Sequence, residues 1–199
     1  MKTEKDYKVR AIHCSHRASV EEIYERLKEI TAPLDRAWEK IEKAQKIVVK
    51  ANMQMRTDNI RRIAGRRQEL VDDDVLSASL RLLKERSEAE IVMLDTSTAP
   101  PGQRPGDDFN MKPLIDEMGI GYVEAGDPPF INYKVPGGGI MFSQYQLSAA
   151  LQEADAFVSI ATIQNHGFMG ITLCLKNLFG LPPLQPLGTV RTYSHHPVT

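Results

Sequence analysis

The sequence predicts a three-layer α/β fold, in which a mostly parallel sheet carries helices on both of its faces. Residues 47–50, 91–94 and 157–160 form three short, largely apolar runs, which are typical of strands buried on both faces of a parallel sheet. Segments with helical periodicity separate these runs, as in proteins built from alternating strands and helices. We therefore expect the three runs to be adjacent, parallel strands at the centre of one sheet.

The first quarter of the chain predicts a short strand and a helical hairpin. Residues 9–13 have the composition of a strand. Ser19 offers a side-chain oxygen that can cap the helix after it, and Ile23 and Leu27 lie on one face of that helix. Pro33 suits the first turn of a second helix.

Helices and strands alternate through the rest of the chain. Asp72, Asp73 and Asp74 precede a helical pattern, where their charges complement the positive end of the helix. Gly119 is a usual residue at the end of a helix. The remaining predicted elements are helices over residues 75–85, 112–118 and 171–178 and a strand over residues 121–124.

Residues 97–110 are rich in proline and glycine and have no periodicity, which predicts a mobile loop. The loop requires no domain boundary, because a chain of 199 residues fits one ordinary domain with a full core. We therefore expect a single α/β domain over residues 1–199.

The composition limits the kinds of binding partner and the cellular location that we expect for this protein. The formal net charge is -1 and the pI is near 6.5, which argues against a chain built to coat nucleic acid or an anionic membrane. No apolar run approaches the ~18 residues of a membrane span. The two cysteines, Cys14 and Cys174, match no metal-ligand spacing and no disulfide framework. We expect a cytoplasmic protein without a nucleic-acid or membrane partner.

The loops after Lys50, Asp95 and Ile160 are the predicted place for chemistry, because ligands of parallel sheets bind beyond the carboxyl ends of the strands. Asp95 ends a predicted buried strand, where it can hold a cation or orient a substrate hydroxyl, or cap the turn that follows. We expect Asn52, Asp95 and His166 to converge on one cleft, since each follows a predicted buried strand.

A group of arginines follows the strand that ends at Lys50. Guanidinium groups bind carboxylate and phosphate, so these residues predict a small anionic ligand. The alternative is that they face water or pair with nearby acids, Asp58, Glu69 and the aspartates at positions 72–74. The arginines are Arg56, Arg61, Arg62, Arg66 and Arg67.

His166 precedes a glycine turn at the end of another predicted strand. Gly167 and Gly170 let the backbone approach a ligand closely, and a helix start presents free amide groups to an anion. His166 is therefore a candidate acid/base group or metal ligand, with the alternative of a turn residue. Lys176 and Asn177 lie further along the predicted helix, where ligand contact and packing are equally open.

Three stretches carry a resemblance to a known family. Residues 153–160, His166 with Gly167, and residues 170–180 together resemble the signature stretch of the domain of unknown function 362 family. Residues 48–52, Val-Val-Lys-Ala-Asn, are similar to that family's Val-Lys-Pro-Asn strand end, with Ala51 in place of the proline. Residues 94–97, Leu-Asp-Thr-Ser, resemble its Asp-Ser-Ser strand end.

The chain departs from the family's pattern just before the glycine turn. The family usually has Pro-Lys-x-Lys-Thr-His there, whereas residues 161–166 read Ala-Thr-Ile-Gln-Asn-His. Both lysines are missing, which puts any lysine-dependent step in doubt. His166, Lys176 and Asn177 stand at their matching places.

The resemblance also carries expectations about cofactors and length. Many members have an added ferredoxin-like segment with clustered cysteines and are labelled iron-sulfur proteins, but two cysteines cannot supply four thiolates, so we expect no iron-sulfur cluster in this chain. The family core continues past the residue 170–180 stretch through further strands and helices, so we expect a domain that is incomplete at its C terminus.

Two functions remain open at this point, and the sequence does not decide whether the protein is an enzyme. The first is binding of a small anionic ligand at the strand ends, with Lys50, Asn52 and the arginines holding the anion. The second is a redox or assembly partner of an iron-sulfur protein whose cluster segment is absent from this chain. The sequence predicts no specific metal or other cofactor.

Overall fold

The computed structural model describes residues 9–53, 60–96, 111–140, 142–167 and 170–183. The helices are α1 (Val20–Thr31), α2 (Asp35–Glu42), α3 (Asp73–Arg86), α4 (Lys112–Glu117) and α5 (Cys174–Asn177). The strands are β1 (Lys46–Ala51), β2 (Arg62–Ile63), β3 (Arg66–Arg67), β4 (Glu90–Asp95), β5 (Gly121–Glu124), β6 (Phe130–Lys134), β7 (Gln144–Ser148), β8 (Ala156–Ile160), β9 (Gln164–His166) and β10 (Gly170–Thr172). The predicted loop over residues 97–110, Arg56 and Asp58 lie outside the described residues.

The four-stranded sheet has the order β5-β4-β1-β8, and each neighbouring pair is parallel. The three predicted strands are thus adjacent and parallel, as expected. The chain first moves outward from β1 to β4 and β5, then returns to place β8 on the other side of β1. In sheets of this kind ligands bind where the order reverses, which here is between the carboxyl ends of β1 and β8.

Within the described part of the chain β8 is an edge strand, not a central one. No strand in the described ranges pairs with its far side, and Phe157 is 38% exposed. β1 is the most enclosed strand, because β4 and β8 pair with its two sides and its residues from Ile47 to Ala51 are all buried.

The two faces of the sheet pack against different partners because side chains alternate along a strand. On one face, Ile47 and Val49 belong to a large apolar cluster with residues of α1 to α4. On the other face, Val48 and Leu94 form a smaller cluster with residues of the 3₁₀ helix Ala149–Leu151 and with Leu181. Short helical segments therefore cover the second face.

Two helix starts are capped by side chains that lie next to them in the sequence. The side chain of Ser19 accepts a hydrogen bond from the backbone N–H of Glu22, whose carboxylate accepts one from the backbone N–H of Ser19 in return. Asp72 caps α3 by accepting a hydrogen bond from the backbone N–H of Asp74. These pairings satisfy amide groups that the helices leave without partners.

Two predicted elements are wrong. Residues 9–13 form no strand, because none of the described strands pairs with them. Val9 is accordingly 96% exposed. The helix expected over residues 171–178 begins three residues later, since Ile171 and Thr172 pair with β9 in the β10 hairpin and only residues 174–177 are α-helical. β-Branched side chains favour that extended conformation.

The core on the helical face gives a direct stability prediction. Leu76 of α3 is fully buried, so Leu76→Ala should lower the free energy of unfolding by roughly 2–5 kcal/mol through lost apolar contact and a residual cavity. Leu175→Ala is the matched control, because Leu175 is 85% exposed and should change it by less than about 0.5 kcal/mol. Urea titrations of both variants test this, and equal losses would contradict the assigned core.

Candidate functional site

A buried ion pair joins the carboxyl ends of the two central strands. Nζ of Lys50 lies 2.8 Å from Oδ1 of Asp95, and the two side chains are only 2% and 5% exposed. Lys50 precedes the last residue of β1 and Asp95 ends β4, so the parallel pairing of the strands delivers both groups to the same rim. Two charges of opposite sign are therefore held at the carboxyl end of the sheet.

Further hydrogen bonds satisfy the ammonium group of Lys50. It donates to the backbone carbonyl of Ala51 at 2.9 Å and to Oδ1 of Asn177 at 2.8 Å. These acceptors, with the carboxylate of Asp95, match the three N–H bonds of an ammonium group. A charge removed from water requires such partners.

The carboxylate of Asp95 accepts hydrogen bonds from backbone amides of two loops. The N–H of Thr96 donates to Oδ1 at 2.8 Å, and the N–H of Met53 donates to Oδ2 at 3.5 Å, the limit of a hydrogen bond. Burial raises the pKa of Asp95 above its usual value, while Lys50 and both amides act in the opposite direction.

Asn177 connects the two strands between which the sheet order reverses. Its Nδ2 donates to the carbonyl of Lys50 at 2.8 Å, to Oγ of Ser159 at 3.0 Å and to the carbonyl of Ile160 at 3.2 Å. Its Oδ1 accepts from Lys50. Asn177 thus bridges the carboxyl ends of β1 and β8 and is itself buried.

Gly180 packs directly against the ion pair. A Cβ atom at this position would lie 2.7 Å from Cε of Lys50 and 2.8 Å from Oδ1 of Asp95, closer than real Cβ contacts allow. Glycine is therefore required here by close approach. Gly180 ends the 3₁₀ helix Leu178–Gly180, so the end of this helix lies against the charged groups.

Asn52 lies beside this cluster and connects it to the base of the β2–β3 hairpin. Its Nδ2 donates to the carbonyl of Glu69 at 2.7 Å, and its own carbonyl accepts from the N–H of Val71 at 2.9 Å. Thr162, after β8, donates through Oγ1 to the carbonyl of Leu70 at 2.8 Å. The hairpin base is therefore attached to the rim at the ends of both β1 and β8.

The described arginines of this region pair with acids. Arg66 forms ion pairs with Asp72 and Asp74, and NH2 of Arg67 lies 2.8 Å from Asp73. These contacts fix the hairpin against the start of α3, as the second sequence interpretation expected.

The two arginines of the other half of the hairpin are more open to solvent. The side chain of Arg61 is 81% exposed and lies 3.9 Å from Glu69. Arg62 lies 3.4 Å from Asp73 and donates to the carbonyl of Gly65 at 2.8 Å. Ion pairs at this exposure contribute little stability, so both side chains are able to exchange partners.

His166 ends β9 and is half-buried. It pairs across the hairpin with Gly170, whose φ is +72°. Gly167 is exposed at the turn. The helix that was expected to present amide groups beside this turn is a strand at this point, so that part of the anion-binding argument falls away.

Lys176 also belongs to the α5 region. Its ammonium group lies 4.8 Å from the ring centroid of Phe179, close enough for a cation–π contact. The structure thus brings together three sequence candidates, Lys50, Asp95 and Asn177.

Two members of this cluster were not predicted from the sequence. Ser159 and Gly180 lie in the stretches that carry the family resemblance, but neither has an ionisable side chain that would single it out. A glycine directly after a helix is usually interpreted as a helix stop, whereas Gly180 is required by its closeness to Lys50 and Asp95.

The described surface contains several open cavities. One of about 430 Å³ is lined by Trp38, Arg86 and residues of α1, and none of its lining residues belongs to the strand ends. Within the described ranges, no group of three or more His, Cys, Asp or Glu side chains is arranged to bind a metal ion. None of the described helices has the length and apolar character needed to cross a membrane.

Removing one partner of the ion pair should be costly. Lys50→Met leaves the Asp95 carboxylate buried without its cation and should lower the free energy of unfolding by roughly 3–5 kcal/mol at pH 7. The double variant Lys50→Met/Asp95→Leu should recover most of the loss. Lys43→Met is the control, since the Lys43–Glu39 pair is exposed and should contribute less than ~1 kcal/mol. Failure of the double variant to recover would contradict the assigned pair.

The loss in Lys50→Met should depend on pH. Without Lys50 the pKa of Asp95 rises further above its model-compound value of 3.8. A carboxyl whose pKa is raised by folding contributes stability that is present below its unfolded pKa and is lost as the pH rises through its folded pKa. The deficit relative to the unaltered protein should therefore be small near pH 4 and grow toward neutral pH. Urea titrations across this range test the sign, and a deficit that grows on acidification would contradict it.

Gly180→Ala should destabilise the protein by about 1–3 kcal/mol, because the added methyl group overlaps Lys50 and Asp95. Gly121→Ala is the matched control, since the nearest atom to its added Cβ is 3.9 Å away. Thermal melts compare the two. Equal melting temperatures would show that the segment around Gly180 accommodates the added methyl group without loss of stability.

Comparison with known families agrees with these features. A family model described as "Domain of unknown function (DUF362)" matches residues 47–196, which include all of β1 but its first residue, β4, β8 and the whole Lys50–Asp95–Asn177 cluster. Comparisons with curated proteins and with solved structures gave no match. Because the family match covers three quarters of its length, the chain belongs to the domain of unknown function family DUF362.

Proposed function

We propose that this protein binds a small anionic molecule, with a phosphate or carboxylate group, at the carboxyl ends of β1, β4 and β8. The observation that carries the proposal is the position of the Lys50–Asp95–Asn177 cluster beside the point where the strand order reverses. Parallel sheets of this kind bind ligands there, because the loops on the two sides of the reversal separate and leave a crevice.

The free-energy cost of burying the Lys50–Asp95–Asn177 cluster supports a role for it beyond folding. A buried ion pair is usually no more stabilising than apolar side chains of the same volume. The Lys50–Asp95 pair requires a dedicated amide side chain and a glycine to fit into the fold. Its retention at the ligand end of the sheet is therefore better explained by binding than by stability.

The rim offers groups that suit an anion. Arg61 is exposed and lies near Glu69, whose backbone carbonyl is bound by Asn52. In this proposal Arg61 and Arg62 bind the negatively charged group of the ligand, and Asn52 helps to position the ligand. Arg66 and Arg67 hold the hairpin through their ion pairs with the start of α3, so their effect on the ligand is indirect.

His166 follows β8 on the other side of the reversal, and we assign it to proton transfer or to a contact with the ligand. Gly167 and Gly170 flank it and leave the backbone accessible. Turnover that depends on His166 would make the protein an enzyme. Partnership with an iron-sulfur protein and a cytoplasmic location stay predictions, because no described contact bears on either.

Isothermal titration calorimetry with inorganic phosphate, pyrophosphate and succinate tests the proposal. We expect one of these probes to bind, and Arg61→Gln/Arg62→Gln to weaken its binding by about tenfold or more, since charge-assisted hydrogen bonds contribute roughly 1.5–3 kcal/mol each. Arg36→Gln, at an exposed arginine of α2, is the control and should bind as the unaltered protein does.

His166→Ala should weaken binding of the same probe while leaving the melting temperature nearly unchanged, because the side chain is only half-buried. A large loss of stability would instead assign His166 to the structure of the β9–β10 hairpin. Absence of binding for all three probes, or equal effects of the α2 and hairpin variants, would contradict the proposed function.

A further inference from the structure

We infer that residues 174–180, here called the α5 segment, are a displaceable plug, and that an anionic oxygen of the ligand replaces Oδ1 of Asn177 on the ammonium group of Lys50. The inference rests on the proposed function and assigns the group that the ligand displaces. It follows from the burial of the segment, from its contacts with Lys50 and from the space around Gly180.

Polar contacts attach the α5 segment to the sheet: Asn177 forms hydrogen bonds with Lys50, Ser159 and Ile160, and Cys174 forms two long ones with Ser159. Asn177 is its only buried residue, whereas Cys174 and Leu175 are exposed and the others are half-buried. Its helix has four residues, too few to be stable alone. Segments with few buried apolar contacts open at a lower free energy than the core, so the α5 segment should open while β1 and β4 stay folded.

The contact that Asn177 makes with Lys50 is one that a ligand can imitate. Its amide oxygen lies 2.8 Å from Nζ, which is the position that a carboxylate or phosphate oxygen would take. A charged acceptor forms a stronger hydrogen bond with an ammonium group than a neutral amide oxygen does. An anion at the rim therefore competes with Asn177 for Lys50.

Opening leaves no charge without a partner. Lys50 keeps the carboxylate of Asp95 and the carbonyl of Ala51. The backbone carbonyls of Lys50 and Ile160, which Asn177 binds in the closed state, can accept hydrogen bonds from water. The hydrogen bonds of Asn177 that are lost on opening are thus ones that solvent can replace.

Opening is also necessary for contact between Lys50 and a ligand. The side chain of Lys50 is 2% exposed in the closed state. Gly180 lies so close to Lys50 and Asp95 that even a methyl group does not fit between them. On the side that Gly180 covers, an oxygen from outside therefore reaches Nζ when the α5 segment moves away.

Acetylation of Lys50 by an amine-reactive ester, followed by mass spectrometry of the full chain's peptides, measures this opening. We expect Lys50 to react faster than global unfolding allows, as calibrated by hydrogen exchange of the amides of β1. Asn177→Ala and Gly180→Ala should each accelerate its labelling about tenfold or more relative to β1 exchange. Leu175→Ala, at an exposed position of the same helix, should leave the labelling rate unchanged.

Inorganic phosphate and succinate distinguish this inference from the proposed function. Binding to the open state should protect Lys50 from acetylation while hydrogen exchange of the peptide covering residues 174–180 becomes faster. Labelling that never exceeds β1 exchange in the unaltered protein, or anion binding without faster exchange in this peptide, would overturn the plug. If the α5 segment opens but neither anion changes its opening, these anions do not replace Asn177, and the result counts against the proposed function. The opening itself would still be established.

Discussion

The burial of one ammonium and one carboxylate group governs the geometry of this protein at the carboxyl end of the sheet. Lys50 and Asp95 cannot be removed from water unless their remaining hydrogen-bonding capacity is used. The structure meets that requirement with the side chain of Asn177 and with backbone groups of Ala51 and Thr96. The path of the chain after β8 is therefore dictated by charges located on β1 and β4.

The sheet was predictable because its signal is local and strong. The apolar runs that became β1, β4 and β8 mark strands of a parallel sheet, and their parallel direction follows from the helices between them. The capped starts of α1 and α3 were predictable for the same reason, since each depends on side chains within three residues. The predicted helix from residue 171 failed because pairing with β9 outweighed helical periodicity in a short segment.

The individual residues of the site could be predicted from the sequence, but the contacts between them could not. Position after a buried strand identified Lys50 and Asp95 as candidates, and the family resemblance added Asn177. Nothing in the sequence showed that the lysine would bind the aspartate and the asparagine instead of a ligand. Such contacts depend on side-chain distances across 127 positions of sequence, and the role of Gly180 depends on the space left between two other residues. The arginines show the same difficulty, because both interpretations of their charge fitted the sequence equally well.

The connectivity of β1 has a consequence for the order in which this protein assembles. Met53, just after β1, and Asp95 are separated by 42 positions, whereas Lys46 reaches Asp155 across 109 and Lys50 reaches Asn177 across 127. Closing a longer loop costs more entropy, and contacts distant in sequence slow the search for the native state. During synthesis β1 and β4 emerge well before β8 and α5, so Lys50 and Asp95 can meet before Asn177 has been added to the chain. The nascent chain thus passes through an interval in which its charged pair is formed but not yet covered by Asn177 and Gly180.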